Sequence, residues 1–183
     1  MKEGIRILAI ACSPLKRKKT LLVGLVSRKD YIEGLISTYV TVDGIDSTNK
    51  IAKMLKESKF NDQVRLVVMN GIGIAGLNVL DVKKFEKLTS TKVLSITRRK
   101  PRPDELIKAL KVFSSMTKTD VKERIMLVEK LNELNTFGIQ EFYLQTSLSK
   151  ADSKKFVLKA FELVRLAHLI ASGIESGESK GRI

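Results

Sequence analysis

The sequence is poor in several residue types on which common functional classes depend. It contains one cysteine, one histidine, three prolines and no tryptophan among 183 residues. A single cysteine excludes an internal disulfide, and the apolar run around Cys12 predicts a small buried side chain. One histidine gives no basis for a Ser/His/Asp or Cys/His arrangement. The apolar helix predicted around His168 favours a packing or capping role over that of a general base.

Long hydrophobic runs are also missing. No run reaches the roughly 18 apolar residues from which a membrane-spanning helix is inferred, so no membrane partner is expected. The first four residues lead directly into a strand-like run and do not resemble a signal peptide. A cytoplasmic location is therefore expected by elimination.

Positive charge, by contrast, is abundant. There are 34 Lys and Arg against 20 Asp and Glu, which gives a formal net charge of +14 and a pI near 9.9. A field of this sign attracts polyanions, so nucleic acid is the first partner to consider. The alternative is a lysine-rich surface in a protein from an organism that lives at high temperature. The 43% of hydrophobic residues is enough for one core, so a single domain over residues 1–183, with a polar tail from about residue 175, is expected.

The hydrophobic pattern changes period along the chain. Strand-like runs cover residues 5–11, 20–27, 31–42, 64–69, 92–97 and 139–144. Helical spacing covers residues 46–58, 77–88, 104–113, 120–134 and 149–174. The short links between the first three strands predict an antiparallel meander, and the strand–helix–strand units that follow predict parallel strands. The expected fold class is α/β, a mixed sheet covered by helices on both faces.

Acidic and amide side chains follow two of these strands. Asp43 and Asp46 come after the third strand, and Asn70 ends the fourth. Strands one, three, four and five should run in one direction, so their ends should meet at one sheet edge, where ligands of open α/β sheets bind. Asp43 and Asp46 are candidate catalytic residues, and with Asn70 they are candidate ligands of Mg²⁺ or Mn²⁺. The alternative is structural, with Asp43 in a turn, Asp46 capping the next helix and Asn70 in a turn before Gly71.

Two basic clusters are expected at the same edge and are candidates for phosphate contacts. Their members are Lys16, Arg17, Lys18 and Lys19 in one loop, and Arg98, Arg99, Lys100 and Arg102 in the other. The alternative for each cluster is a solvated charge run without a ligand. Aromatic residues are few and scattered, so an extended base-stacking platform is not expected.

The glycines between residues 71 and 76 have the G-x-G-x-x-G spacing of a dinucleotide-binding loop. That motif requires an acidic residue about 20 positions further on, after the next strand. The predicted next strand ends at Thr97 and is followed by Arg98 and Arg99. A nucleotide or phosphate-metabolite site is therefore kept only as a weaker third hypothesis.

Four stretches, taken together and in order, resemble a known family. They are residues 2–8, 41–48, 69–76, and 165–171 with 177–182. The sequence resembles the archaeal endonuclease dU family, which is related to endonuclease V and has a ribonuclease H-like fold. The resemblance implies metal-dependent cleavage of DNA near deaminated bases or in single strands, and hence a role in DNA repair.

This chain matches the family pattern at some of the expected site residues and differs from it at others. The family pattern places Asp at the end of the first strand, where this chain has Ala11 and Cys12. Asp43 and Asp46 match the family pattern. Relatives similar to endonuclease V have Asp where this chain has Asn70. A missing bridging carboxylate removes several kcal/mol of transition-state stabilisation, and each ~1.4 kcal/mol is a factor of ten in rate.

Two functions of different class follow from this comparison. The first is a divergent nuclease that holds one Mg²⁺ or Mn²⁺ with Asp43, Asp46 and Asn70. The second is a catalytically inactive relative that binds DNA, or alternatively RNA, through the two basic clusters. Residues 31–34 also resemble the wedge loop of endonuclease V, which makes Tyr31 a candidate wedge residue. The sequence does not specify the oligomeric state.

Overall fold

The computed structural model of the protein describes residues 4–15 and 18–179. The strands are β1 (Arg6–Cys12), β2 (Lys19–Arg28), β3 (Tyr31–Thr41), β4 (Val64–Asn70), β5 (Gly73–Ala75), β6 (Asn78–Val79), β7 (Lys92–Thr97), β8 (Asn135–Ile139) and β9 (Phe142–Thr146). The helices are α1 (Ser47–Lys56), α2 (Val82–Thr89), α3 (Pro103–Thr117), α4 (Lys122–Glu129) and α5 (Lys150–Ser176).

Seven of the strands form one mixed sheet in the order β3-β2-β1-β4-β7-β9-β8. The first three strands are an antiparallel meander, and β4 and β7 continue the sheet parallel to β1. The strand β9 pairs antiparallel with β7, and β8 pairs antiparallel with β9. A meander followed by parallel strands, with helices on both faces, confirms the predicted α/β fold class.

Burial along the meander follows from where each strand lies in the sheet. The strand β2 is buried from Thr20 to Ser27, because it has a neighbouring strand on each side and its side chains lie in hydrophobic clusters on both faces of the sheet. The outer strand β3 alternates instead. Ile36 and Val40 pack into the core on the side of α1, whereas Leu35 and Tyr39 on the other face are exposed.

The sheet separates two hydrophobic cores. On one face α1 to α4 pack over side chains such as Leu8 and Val67, and on the other face α5 packs over Ile7 and Leu94. The helix α5 is 27 residues long and presents a continuous apolar stripe to the sheet. The stripe consists of Phe156, Ala160, Val164, Ala167 and Ala171.

The helix predicted over residues 77–88 was wrong in its first five residues. Residues 73–79 form a small antiparallel hairpin of β5 and β6, and α2 begins only at Val82 after the N-cap Asp81. The buried side chain of Asn78 explains the difference. It donates to the backbone oxygen of Thr41 and accepts from the backbone N–H of Ser47, so it links the hairpin to the loop after β3.

Other boundaries also differ from the sequence prediction, among them the end of α3, which lies at Thr117 and not at residue 113. The single last strand over residues 139–144 is a hairpin, in which β8 and β9 are joined at Gln140 with φ +55°. The helix predicted over residues 120–134 divides into α4 and a 3-10 turn, Lys130–Glu133. Residues 175 and 176, predicted as the start of a polar tail, are the last turn of α5, which Gly177 ends at φ +78°.

No helix in the described parts of the chain combines the length and the apolar character needed to cross a membrane.

Candidate nucleic-acid interface

The carboxyl ends of four strands point to one edge of the sheet. The strands β1, β3, β4 and β7 run in the same direction and end at Cys12, Thr41, Asn70 and Thr97. We call this border the strand-end edge. It brings Asp43, which follows β3, to the same side of the sheet as Arg98, which follows β7. The strands β3 and β7 are four sheet positions apart, or about 19 Å at ~4.8 Å per strand.

Asp43 is held in a strained turn after β3. Its φ is +54°, its backbone N–H donates to the oxygen of Ala75, and its carboxylate oxygen Oδ1 accepts from the N–H of Leu77. The carboxylate lies so close to Gly76 that a Cβ at that position would come within 2.2 Å of Oδ1. One carboxylate oxygen of Asp43 is thus part of the contact between the loop after β3 and the β5–β6 hairpin.

Asp46 is the N-cap residue of α1, but its side chain makes no capping hydrogen bond to that helix. Its Oδ1 accepts from the backbone N–H of Thr41 at 3.1 Å and from Asn78 Nδ2 at 2.8 Å, and its Oδ2 accepts from Thr41 Oγ1 at 2.8 Å. Partial burial opposes ionisation, yet these three donors outweigh it, so the pKa of Asp46 lies below its ordinary value. Three donors occupy most of the lone-pair sites of this carboxylate.

Asn70 is exposed at the end of β4, and Gly71 takes the positive φ of the following turn, at +73°. Asn70 therefore stays in the extended strand and does not adopt the left-handed turn that was its structural alternative. The next residues lead into the β5–β6 hairpin and not into a helix. The glycines of residues 71–76 consequently lack the strand–turn–helix context of a dinucleotide loop.

A cavity of about 260 Å³ opens between the ends of β1 and β4 and the side of α5. Its lining is mostly apolar, with Cys12, Asn70 and His168 as the polar members. Burial raises the pKa of the Cys12 thiol to about 12, so the thiol is protonated at neutral pH. The Nε2 atom of His168 lies 3.4 Å from Ser172 Oγ, one turn further along α5.

The second basic cluster forms a groove beside this cavity. Four cationic side chains line a space of about 760 Å³ together with Glu105, Leu106 and Tyr143, and we call it the basic groove. The four are Arg98, Arg99, Lys100 and Arg102. The guanidinium carbon of Arg98 lies 4.9 Å from the centroid of the Phe161 ring in α5.

Two prolines bracket Arg102 within the basic groove. Pro103 is the first residue of α3, and Pro101 precedes Arg102 directly. The Nη1 of Arg102 donates to Glu105 Oε1 at 2.6 Å, in an ion pair that is largely exposed to solvent. The charges of Arg99 and Lys100 are exposed, and the Thr97 hydroxyl donates to the carbonyl of Arg99, which fixes the loop after β7.

The first basic cluster is described only in part, because Lys16 and Arg17 lie outside the described residues. Lys18 is exposed, and its carbonyl accepts from the N–H of Val42. Lys19 is exposed at the start of β2, opposite the last residue of β3. Lys18 and Lys19 thus lie at the strand-end edge, three sheet positions, or about 14 Å, from β7.

The structure does not bring Tyr31 to this edge. Tyr31 begins β3 and pairs with Arg28 at the end of β2, which places it at the opposite border of the sheet. Its side chain is 76% exposed. Glu33 in the same segment accepts from Arg6 Nε at 2.6 Å, in an ion pair that joins β3 to the start of β1.

Three residues that support the interface were not singled out in the sequence. Arg124 is buried in α4, its Nη1 donates to the backbone oxygen of Asp43 at 2.6 Å, and its guanidinium carbon lies 5.1 Å from the Phe113 ring centroid. Phe161 supports Arg98, and Tyr143 forms one wall of the basic groove. These residues lie far along the chain from their partners, so no local pattern indicates the contacts.

The residues at the strand-end edge do not fit a carboxylate-bound divalent cation. The described residues contain no group of three or more His, Cys, Asp or Glu side chains that could hold a metal ion. Ala11 has no ligand atom, and the Cys12 thiol is protonated at neutral pH. The hydrogen bonds of Asp46 and the contact of Asp43 with the hairpin are what a structural role requires.

Strand order and edge chemistry define a mixed α/β protein of the ribonuclease H-like class, with a cationic groove beside the strand ends. Residues 3–175 match the model of the Endonuclease dU family, and the chain belongs to this family. The family resemblance carried by the sequence motifs is thereby confirmed.

Individual relatives extend over nearly the whole chain. The UPF0215 protein of Methanosarcina barkeri is 32% identical over 192 residues, which cover 100% of this chain and 96% of the relative. The UPF0215 protein of Methanopyrus kandleri is 36% identical over 171 residues, or 88% of this chain and 85% of the relative. A solved structure from Archaeoglobus fulgidus is 31% identical, has a TM-score of 0.78, and covers 93% of this chain and 98% of that one.

Proposed function

We propose that this protein binds nucleic acid through phosphate contacts in the basic groove. The observation that carries the proposal is the concentration of Arg98, Arg99, Lys100 and Arg102 around one open space, with Glu105 as the one acidic residue of its lining. Arginine guanidinium groups bind phosphate oxygens in a bidentate manner, and neutralisation of phosphates supplies most non-specific affinity for nucleic acid. DNA is the partner we favour, because the chain belongs to the Endonuclease dU family.

The charge of the rest of the chain supports the same partner. The net charge of +14 draws a polyanion towards the whole surface. Lys18 and Lys19 lie at the strand-end edge, about 14 Å from the groove side of the sheet. A nucleic-acid strand that crosses the strand-end edge would therefore contact positive charge at both ends of its path.

The proposal assigns structural roles to the two acidic residues. Asp46 joins the end of β3 to the buried Asn78, and Asp43 joins the following loop to Leu77. In this reading the chain binds nucleic acid without holding its own metal ion at the strand-end edge. The proposed function is therefore that of a catalytically inactive relative and not that of a functioning nuclease.

A second candidate function is cleavage that depends on Mg²⁺ or Mn²⁺ and uses Asp43, Asp46 and Asn70 as ligands. It is favoured by one observation, the placement of a half-buried Asp43 at the same edge as the basic groove. In this case the basic groove would orient the nucleic-acid strand for cleavage.

The binding experiment measures fluorescence anisotropy of a labelled single-stranded DNA, with duplex DNA and RNA of the same sequence in parallel, between 50 and 300 mM salt. For the single strand we expect log affinity to fall with log salt, at a slope of about 0.7 for each phosphate contacted. Arg99→Glu with Lys100→Glu should weaken binding by more than about tenfold and reduce the slope. Lys108→Glu with Lys111→Glu, the same charge change at exposed positions of α3 outside the groove lining, is the matched control.

Salt-independent binding, or equal losses in the two double variants, would show that the basic groove does not bind nucleic acid.

A cleavage assay distinguishes the two candidate functions. Single-stranded, uracil-containing and inosine-containing DNA are incubated with Mg²⁺ or Mn²⁺, and we expect no cleavage by the unaltered chain. Cleavage that Asp43→Asn abolishes and the exposed Asp62→Asn retains would establish the second candidate instead.

A further inference from the structure

The outer edge of β3 has no neighbouring strand among the described residues. Backbone groups in an antiparallel strand point alternately to one side and to the other. The N–H of Val42 donates to Lys18, just before β2, so Val42 and every second residue before it direct their backbone groups towards β2. The residues between them direct theirs outward. In the regular part of β3 the outward residues are Leu35, Ser37, Tyr39 and Thr41.

Both ends of this outer edge are closed to a further strand. At one end the N–H of Thr41 donates to Asp46, and the oxygen of Thr41 accepts from Asn78. At the other end the pairing register with β2 shifts at Glu33, which forms a bulge of the kind that interrupts edge pairing. The segment between these ends, residues 35–39, is called the open edge.

The open edge lacks the features by which proteins protect the borders of their sheets. Residues 35–39 contain no proline and no charged residue, although charged residues make up 30% of the chain. Leu35 and Tyr39 are 53% and 55% exposed on one face. They lie opposite Leu25 and Leu21 of β2, which are buried, so an apolar row runs from the core to the open edge. Such an edge is suited to pairing with another strand.

We propose that two copies of the chain form a dimer by antiparallel pairing of their open edges. The two-fold axis passes through Ser37 at right angles to the sheet, so Ser37 lies opposite its counterpart and Leu35 lies opposite Tyr39 of the second copy. This register uses every outward backbone group of the open edge, in about six hydrogen bonds. Moving the axis by one residue would pair an outward residue with the occupied Thr41 or with the bulge at Glu33.

The side chains on both faces fit this register. Leu35 beside Tyr39 is an aliphatic–aromatic cross-strand pair of the kind that stabilises antiparallel sheets, and symmetry makes it occur twice. On the other face the half-buried Ile36 lies opposite Thr38, and both are β-branched residues that favour strands. The apolar row of each copy thus continues into that of the other.

Charge favours a second copy as the occupant of the open edge. Two chains of net charge +14 repel each other at long range, so their close contact requires a surface without cations. The open edge is such a surface, and its pairing removes no charged side chain of residues 35–39 from water. Salt screens the remaining repulsion, so dimerisation should strengthen with salt, whereas binding of nucleic acid weakens.

The dimer goes beyond the proposed function and is independent of it. The open edge lies on β3, and the basic groove follows β7, four sheet positions away. The two-fold axis reverses the strand direction in the second copy, so the two basic grooves lie at opposite borders of the joint sheet. Pairing of the open edges covers neither groove, so dimerisation and binding of nucleic acid can fail separately.

Sedimentation velocity of the full chain, at about 5–500 µM and in 100 and 500 mM salt, measures the association. A five-residue edge buries less than the ~1,200 Å² of a standard interface, so we expect a weak dimer whose fraction rises with concentration and with salt. Ser37→Lys places two ammonium groups opposite each other at the axis and should leave the chain monomeric. Ser115→Lys, the same change at an exposed position of α3, is the matched control and should dimerise like the unaltered chain.

A disulfide tests the register of the pairing. In the proposed dimer the two Cα atoms at position 37 lie about 5.5 Å apart, within the range that a disulfide spans. Ser37→Cys should therefore form a covalent dimer when copper–phenanthroline and oxygen are added as oxidant. Ser115→Cys, which carries an equally exposed thiol on α3, should stay largely monomeric.

Three outcomes would overturn the proposal. A chain that is monomeric at every concentration would exclude the dimer and leave the open edge to a strand of a different protein. A dimer that Ser37→Lys retains, or that both lysine variants lose equally, would show that β3 is not the interface. Failure of Ser37→Cys to cross-link, while the unaltered chain dimerises, would exclude pairing about Ser37.

Discussion

The guanidinium carbon of Arg98 lies 4.9 Å from the centroid of the Phe161 ring, so a side chain at the end of β7 rests on the long helix of the opposite layer. Phe161 in turn packs on Phe142, with ring centroids 4.8 Å apart. A cation over an aromatic face is held in one region without neutralisation of its charge. Arg98 is thereby oriented between the cavity beside β1, β4 and α5 and the basic groove, and its charge remains available to a phosphate.

The first prediction concerns this orientation. Phe161→Leu should weaken DNA binding by about two- to fivefold, since a cation–π contact at an exposed site contributes about 0.5–1 kcal/mol. Phe156→Leu makes the same change on α5 at a buried position in the core. Anisotropy titrations of both variants, at a temperature where each is folded, provide the measurement. A comparable loss in Phe156→Leu would attribute the effect to helix packing.

The second prediction uses the hydrogen bonds of Asp46. Its pKa lies below the ordinary value of 3.8, so the ionised carboxylate stabilises the fold above that pH and the contribution disappears as the pH falls through the folded-state pKa. Asp46→Asn should lower the free energy of unfolding by about 2 kcal/mol at pH 7, because a charged acceptor is lost and an amide donor faces the donors of Thr41 and Asn78.

Urea unfolding at pH 7 and at pH 3 measures this effect. The difference between Asp46→Asn and the unaltered chain should shrink at the lower pH. Asp62→Asn is the matched control, because Asp62 is exposed with φ +58°, a conformation that asparagine tolerates, and it should change stability little at either pH. A difference that is constant with pH would show that ionised Asp46 is not what stabilises the loop.

The third prediction separates backbone strain from a steric clash. Gly76 and Gly177 both have positive φ, at +68° and +78°, but a Cβ at Gly76 would lie 2.2 Å from Asp43 Oδ1, whereas nothing lies within 4 Å at Gly177. Gly177→Ala should destabilise the protein by about 1 kcal/mol through φ alone. Gly76→Ala should have an additional effect of about 1–3 kcal/mol, because the Asp43 carboxylate must move. Equal values in denaturant unfolding would contradict this account of the Asp43 loop.

The fourth prediction concerns thiol reactivity. With the pKa of Cys12 raised to about 12, only about one thiol in ten thousand is ionised at pH 8. Alkylation by iodoacetamide should therefore be about a thousandfold slower in the folded protein than in guanidinium chloride. Cys12→Ser with Ala151→Cys, which carries an exposed thiol instead, is the control for reagent access. Similar rates for the native and exposed thiols would show that the cavity does not suppress ionisation.

The sheet was largely predictable because the sequence patterns that specify it lie within short stretches of the chain. The buried run of β2, the alternation of β3 and the short links between them specify an antiparallel meander, and right-handed crossovers then make β4 and β7 parallel to β1. The hairpin of β5 and β6 was not predictable in this way. Leu77 and Leu80 have helical spacing, and only the distant partners of Asn78 favour the hairpin over a helical turn.

The candidate interface was likewise predictable only in part. Strand direction alone indicated that Asp43, Asn70 and Arg98 would lie at one edge of the sheet. The strand order and directions in the structure place all three at that edge. Their environments required tertiary structure. The hydrogen bond from Asn78 to Asp46 spans 32 residues, and the one from Arg124 to the Asp43 carbonyl spans 81, so no pattern within a local window contains them.

The prolines on either side of Arg102 have a consequence for the kinetics of binding. Each pyrrolidine ring restricts its own φ to about −65°, and Pro103 also anchors the loop to the first turn of α3. A loop with few accessible conformations loses little entropy when a ligand orders it. Encounter rates should then follow ionic strength through long-range attraction, with no slow rearrangement step to limit them.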